Sequence, residues 1–182
     1  MSELTFMPLL NSIAVNERKG EILFDAWADA TQDAALAQVL RFVAIREGEH
    51  AMAFTKRMCE LGEAVCEETA YQVFKNFDDR LALLRSPASD AEKVACMTRG
   101  ESEDERDIFG GFFKDTTIDP ETGALLGRFI AEERDTGRRL RAEYARICGA
   151  AATPQSDIDE LRACIDALRR DIAELKGLRS VA

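Results

Sequence analysis

Apolar residues recur along this chain in steps of three and four, the period of an α-helix, and the runs break at a few Gly, Pro and Ser positions. The first run, residues 8–31, puts Leu10, Ile13, Glu17, Gly20 or Glu21, Phe24 and Ala28 on one face. Glu17 thus interrupts an otherwise apolar stripe; if the stripe edge lies elsewhere, Glu17 is solvated or Glu21 takes its place. The second run, residues 33–61, opens at a suitable N-cap, Asp33, and closes before Gly62. Its face reads Leu36, Val39 or Leu40, Val43, Glu47, His50, Phe54, Leu61, while Glu49 points elsewhere. Glu47 and the chain's only histidine, His50, are three residues apart and therefore lie one turn apart on one face.

A third run, residues 90–114, follows the break Ser86-Pro-Ala-Ser-Asp, with Ser89 or Asp90 as cap. Its face carries Val94, Met97, Glu101, Asp104, Ile108 and Phe112, so two carboxylates again sit in the middle of an apolar stripe. A fourth starts at Asp119-Pro120, with proline at the first helical position, and ends near Cys148 and Gly149. Leu125 and Phe129 lead to Glu132, with Asp135 three residues on, but Glu133 is in better phase with Leu140, Tyr144 and Ile147. Periodicity alone leaves Glu132 and Glu133 both open.

Residues 63–93 are the least regular, with short helical pieces between Glu68 and Leu84. That length is too great for a tight hairpin and suits a crossover along a bundle. After a linker at 150–155, Ile158, Leu161, Ile165, Leu168, Ile172 and Leu175 form a short heptad seam, either between chains or folded back on the bundle. The expected organisation is a helical domain over residues 1–149 and a linker plus amphipathic helix over 150–182. The fold class is all-α, consistent with a composition rich in Ala, Leu, Glu and Arg and poor in Gly and Pro.

The net charge of −10 argues against nucleic acid as a partner, since phosphate binding needs a basic patch. No apolar run is long enough to span a membrane. Five scattered cysteines without a Cys-x-x-Cys spacing, and no signal-peptide pattern at the start, lead us to expect reduced thiols and a cytoplasmic protein.

The acids on the inward faces are the feature with chemical content. A buried carboxylate is very costly unless it is paired or bound to metal, and basic residues do not fall on those faces in matching number. Divalent cations would offset that charge. Glu-x-x-His projecting into a bundle is the spacing of di-iron carboxylate proteins.

With these motifs in place, residues 8–148 resemble the rubrerythrin branch of the ferritin-like superfamily. The first helix of that family gives one Glu, matched by Glu17 in Ala14-Val-Asn-Glu17-Arg, and the second gives Glu-x-x-His, matched by Glu47 and His50. The third gives Gly-Glu-x-x-Glu, matched by Gly100-Glu101-Ser-Glu-Asp104, and the fourth Ala-Glu-x-x-His, matched by Ala131-Glu132-Glu-Arg-Asp135. Asp104 and Asp135 depart from the pattern, and Asp135 replaces a neutral nitrogen by an anionic oxygen. The resemblance implies an antiparallel four-helix bundle with a long crossover and selects Glu132 over Glu133. It implies two iron ions, with manganese or zinc as alternatives, held by Glu17, Glu47, His50, Glu101, Asp104, Glu132 and Asp135. Glu47 and Glu132 would bridge the pair. Peroxide reduction or Fe(II) oxidation is the implied activity, in a homodimer or larger homo-oligomer. We expect no rubredoxin domain of the kind usual in the family, so electrons would come from a separate donor. A structural or decayed metal site in an interaction or iron-handling protein is the alternative.

Overall fold

The computed structural model describes residues 6–98 and 117–149, and among them every regular element is helical. The order is α1 (Met7–Ala30), α2 (Ala34–Glu60), a 3-10 turn (Glu67–Thr69), α3 (Phe77–Arg85), α4 (Asp90–Met97) and α5 (Pro120–Ile147). The third helix expected over 90–114 is described as far as Met97; Glu101, Asp104, Ile108 and Phe112 lie outside the described residues, as does the heptad helix of 156–179. The chain divides into two units between Tyr144 and Ala145, and the site described below belongs to the first. No helix among the described residues is long and apolar enough to cross a membrane.

The helix ends follow from local chemistry. The Asp33 carboxylate accepts from the backbone N–H groups of Ala35 and Leu36, both at 3.0 Å, satisfying two donors that the first turn of α2 leaves open. Gly62, at φ +86°, reverses the chain at the other end. There Gly62 N donates to Cys59 O and Glu63 N to Met58 O, the two bonds of a Schellman closure. Ser89, rather than Asp90, caps α4 and forms a reciprocal capping box with Glu92. Asp119 Oδ1 accepts from Glu121 N and Thr122 N at the start of α5.

Only residues 31–33 separate α1 from α2, so the two long helices form an antiparallel hairpin. Their side-chain pairs run in opposite senses: Asp29 with Arg41, Glu17 with His50. α5 is antiparallel to α2, with Asp135 on Arg46, Glu132 on His50 and Thr122 on Arg57. It is parallel to α1, since Leu126 packs in the cluster of Leu10 and Ile13 while Tyr144 stacks on Trp27. Phe6, Leu10, Ile13, Ala14, Phe54, Met58, Leu126 and Phe129 close one end of this three-helix core. Burying one of its large side chains is worth about 1.5–3 kcal/mol. The inner stripe of α5 is Thr122, Leu126, Phe129 and Thr136. Leu126 takes the place expected of Leu125, which turns the buried face by one residue.

Residues 63–90 lie along α1. Asn11 exchanges two bonds of 2.8 Å with the backbone of Cys66, and Asn16 holds Tyr71 O at 2.6 Å and Val73 N at 2.9 Å. Asp90 then accepts from Trp27 Nε1 and Thr31 Oγ1, both at 2.7 Å. The contacts climb from residue 11 to residue 31 of α1, which is roughly 30 Å of helix. Two buried asparagines thus supply backbone-like amides to a connection with little regular structure of its own.

Candidate metal centre

Glu17 on α1 and Glu47 and His50 on α2 are buried in the middle of the hairpin, at 8%, 5% and 4% exposure. Their depth is possible because glycine faces them. A Cβ on Gly20 would collide with the Glu47 carboxylate, so α1 and α2 approach closely where that acid must fit. One residue on in each helix the arrangement is mirrored, with Gly48 of α2 against the Glu21 carboxylate. Glu21 itself pairs with Arg18 and is not part of the cluster.

His50 is held on both nitrogens. Nδ1 stands 3.0 Å from Glu17 Oε2 and 3.5 Å from Glu133 Oε1, and Nε2 stands 2.8 Å from Glu132 Oε2. Phe129 sets its ring edge-on to the imidazole, with centroids 5.0 Å apart. A cleft of about 260 Å³ reaches the His50–Glu132 edge, with Met52, Leu125 and Arg128 on its walls.

The electrostatics are those of too much negative charge in too little solvent. Burial pushes the Glu17 carboxyl well above the usual carboxylate range, the charge of Glu133 adds to the rise, and a hydrogen bond with Glu47 opposes it. Burial likewise raises Glu47, and the charges of Glu17 and Glu133 push it further. Glu133 is also raised by burial, although His50 and Arg46 pull it down. For Glu132, burial is outweighed by hydrogen bonds from His50 and Arg128, and its carboxyl falls below the usual range. One donor atom is left over: Glu133 Oε1 is out of solvent and has no hydrogen-bond partner.

One ligand atom each from Glu17, His50 and Glu133 lie within 4.8 Å of one another. Ligands about 2.1 Å from a shared ion stand up to ~4.2 Å apart, so the three are close to the spread that one ion requires. The donors also suit a transition-metal ion chemically, since they combine carboxylate oxygens with an imidazole nitrogen. Buried anionic oxygens, one of them unpartnered, are what a cation would satisfy.

Four of the expected ligands, Glu17, Glu47, His50 and Glu132, are brought together. Glu101 and Asp104 lie outside the described residues. Asp135 is turned away: it accepts from Arg139 Nε at 2.7 Å, Arg46 NH1 at 3.0 Å and Arg138 NH2 at 3.2 Å. Those arginines, Arg139 first, hold its carboxyl down at about 2. Both Glu132 and Glu133 reach His50, but it is Glu133 that joins the three-atom group, as the helical phase with Leu140 favours. The residue missed in the sequence is Arg46. It donates from NH1 to Glu132 O at 2.9 Å, to Asp135 and to Thr136 Oγ1 at 3.1 Å, fixing the turn that carries Glu132 and Glu133. Its position next to Glu47, with four residues to His50, was the available signal. No family model matches this chain, and neither a curated protein nor a solved structure is significantly similar to it.

Proposed function

We propose that this chain is a metal-binding helical protein whose carboxylate–histidine site serves peroxide or oxygen chemistry, in the manner of the rubrerythrin branch of ferritin-like bundles. The observation that carries the reading is the buried Glu133 Oε1, without a hydrogen-bond partner and gathered with ligand atoms of Glu17 and His50. Parallel α1 and α5, antiparallel α2, and a connection climbing the length of α1 support a four-helix bundle with a crossover, completed by the expected helix over 90–114. Iron is the ion that the resemblance favours, with manganese and zinc as alternatives.

Glu17, His50 and Glu133 would hold the ion. A bound iron would supply Lewis acidity and electrons to an O–O bond. The protein's own groups have separable tasks. Glu132, accepting from Nε2–H, fixes the tautomer that leaves Nδ1 as the donor nitrogen, the usual arrangement of a carboxylate behind a ligating histidine. Burial favours the protonated forms of Glu17 and Glu47, and a cation would displace those protons. Phe129 and Phe54 stack edge-on at 5.2 Å and keep water from the apolar side of the site. The cleft beside Glu132 admits a molecule of peroxide size.

Metal analysis of the purified protein after loading with Fe(II) or Mn(II) tests this. We expect bound metal in the wild type and in Glu49→Ala, whose side chain is exposed, and none in His50→Ala. Equal metal in both variants sinks the site. Metal retained without peroxide consumption or Fe(II) oxidation, given a reductant, would favour a structural site; the three arginines occupying Asp135 are the observation on that side.

A further inference from the structure

We infer that Phe42, Arg46, Asp135 and Arg139 form a clamp that positions Glu132 and Glu133 for the site, and that Asp135 serves this clamp and not the metal. The inference rests on the metal-binding reading and goes beyond it by assigning positioning residues to the site. Each helix gives a pair four residues apart, Phe42 and Arg46 on α2, Asp135 and Arg139 on α5, so each pair shares a face. Their contacts close a circuit. Arg46 NH1 donates to Asp135 Oδ2 at 3.0 Å, and Arg139 Nε donates to the same oxygen at 2.7 Å. Both guanidinium groups also stand over the Phe42 ring, with Cζ 4.4 Å from its centroid for Arg46 and 4.7 Å for Arg139. The shared carboxylate offsets the repulsion between two cations drawn to one ring.

The place of this circuit along the helices gives it its task. α2 and α5 run antiparallel, and residue 46 meets 135 just as residue 50 meets 132. The clamp is therefore one turn, about 5 Å, from the His50 contact. Arg46 ties it to the turn of the two glutamates through the Glu132 carbonyl at 2.9 Å and Thr136 Oγ1 at 3.1 Å. Successive helical residues point about 100° apart, so a rotation of α5 by that angle would exchange Glu132 and Glu133 before His50. Bonds from one arginine to both main chain and side chains of α5 resist that rotation. They favour the observed division, with Glu132 on Nε2 at 2.8 Å and Glu133 grouped with Glu17 and Nδ1. Asp135 has no oxygen to spare for an ion in this arrangement. Its Oδ2 is shared by Arg46 and Arg139, and its Oδ1 accepts from Arg138 NH2 at 3.2 Å.

The test is a double-mutant cycle on chelator-stripped full-length protein. Mn(II) affinity is read by calorimetry, with the visible spectrum of bound Co(II) and urea unfolding measured beside it. Arg46→Met and Asp135→Ala should each weaken Mn(II) binding about tenfold and alter the Co(II) spectrum, and the double variant should bind no more weakly than either single one. Phe42→Leu, at a ring 38% exposed, should weaken binding about threefold. Losses that multiply in the double variant would make Asp135 a ligand and overturn the inference, with metal binding left standing. Single variants that unfold at lower urea while keeping the wild-type affinity and Co(II) spectrum also overturn it, since the clamp would then be structural only. If Arg46→Met does not fold, Phe42→Leu and Arg139→Gln decide, and unchanged Mn(II) affinity in both overturns the inference. A folded wild type that binds neither ion overturns this inference and the metal-binding reading together.

Discussion

α2 meets α5 at two charged layers seven residues apart, about 10 Å along the helix, and they solve the same problem in opposite ways. At one layer Arg57 donates to Thr122 Oγ1 at 2.9 Å and pairs with Glu60 at 3.0 Å and with Asp119 and Glu121 at 2.8 Å. Three acids face one cation, yet they are 34–80% exposed, and water carries the surplus charge. At the other layer His50 faces Glu17 at 10% exposure and Glu132 and Glu133 at 26% and 34%, and one Glu133 oxygen is out of solvent without a hydrogen-bond partner. An acid-rich layer is harmless at the rim of a bundle and demanding at its centre. Charge counting along the sequence cannot separate the two; the buried Glu17 and the inaccessible Glu133 oxygen do.

The largest effect that would break this contrast is at Arg57. Its guanidinium is buried and bonded on every nitrogen, so Arg57→Met should cost about 2–4 kcal/mol in urea unfolding, by removing the bonds it gives to Thr122 Oγ1, Asp119, Glu60 and Glu121. Metal affinity should not change. A parallel loss of metal would mean that the two layers are one network.

At the His50 layer the expected pH dependence has the opposite sign from that of an ordinary ion pair. Burial raises Glu17 and Glu47 above the ordinary carboxylate range in the folded protein. The stability they contribute is therefore present below about pH 4.5 and is lost as pH rises through their raised values. Chelator-treated protein should melt lower at pH 8 than at pH 5 for this reason. Glu17→Gln keeps a hydrogen-bonding amide without the charge; it should raise metal-free stability at pH 8 by about 1–3 kcal/mol and flatten the slope. With Mn(II) present the order should reverse, because the variant has lost a ligand. A metal-free melt that is flat with pH in the wild type would show the cluster to be better solvated than its burial implies.

Much of this was legible in the sequence, for reasons that can be named. The helices of α1 and α2, the Asp33 cap, the Gly62 stop and the burial of Glu17, Glu47 and His50 all follow from period and end chemistry, which are local. The rotation of α5 was less legible, because Leu125, Leu126 and Phe129 fit two stripes one residue apart. The resemblance favoured the stripe with Glu132, whereas Thr122, Leu126 and Thr136 set the buried one. Thr122 and Thr136 give no hydrophobic signal, yet each is fixed by an arginine from α2. Asn11 and Asn16 were invisible for a similar cause: a polar residue on a helix reads as solvated until the loop it serves is known. The fate of Asp135 was the least accessible, since it depends on Arg46, nearly ninety residues away, and on Arg138 and Arg139 in the next turn.

The smallest predicted effect separates two roles that Asp119 combines. Its Oδ1 caps α5 by accepting from Glu121 N and Thr122 N, both at 3.0 Å, and also pairs with Arg57 at 2.8 Å. Burial alone would raise this carboxyl, but the Thr122 and Arg57 hydrogen bonds outweigh it and hold it well below its usual range. Its stabilising contribution is thus present above about pH 4 and is lost on acidification, the reverse of Glu17 and Glu47. Asp119→Ala removes both roles and should cost about 1–2 kcal/mol at pH 7. Asp119→Asn keeps an equally good cap and removes the charge and the Oδ2 that accepts from Thr122 Oγ1, together worth about 1 kcal/mol at a third exposed. Equal losses in the two variants, measured by urea unfolding at pH 7, would mean that the ion pair rather than the cap governs the start of α5. The Arg57 layer would then depend on its charges as strictly as the His50 layer does, and exposure would no longer distinguish them.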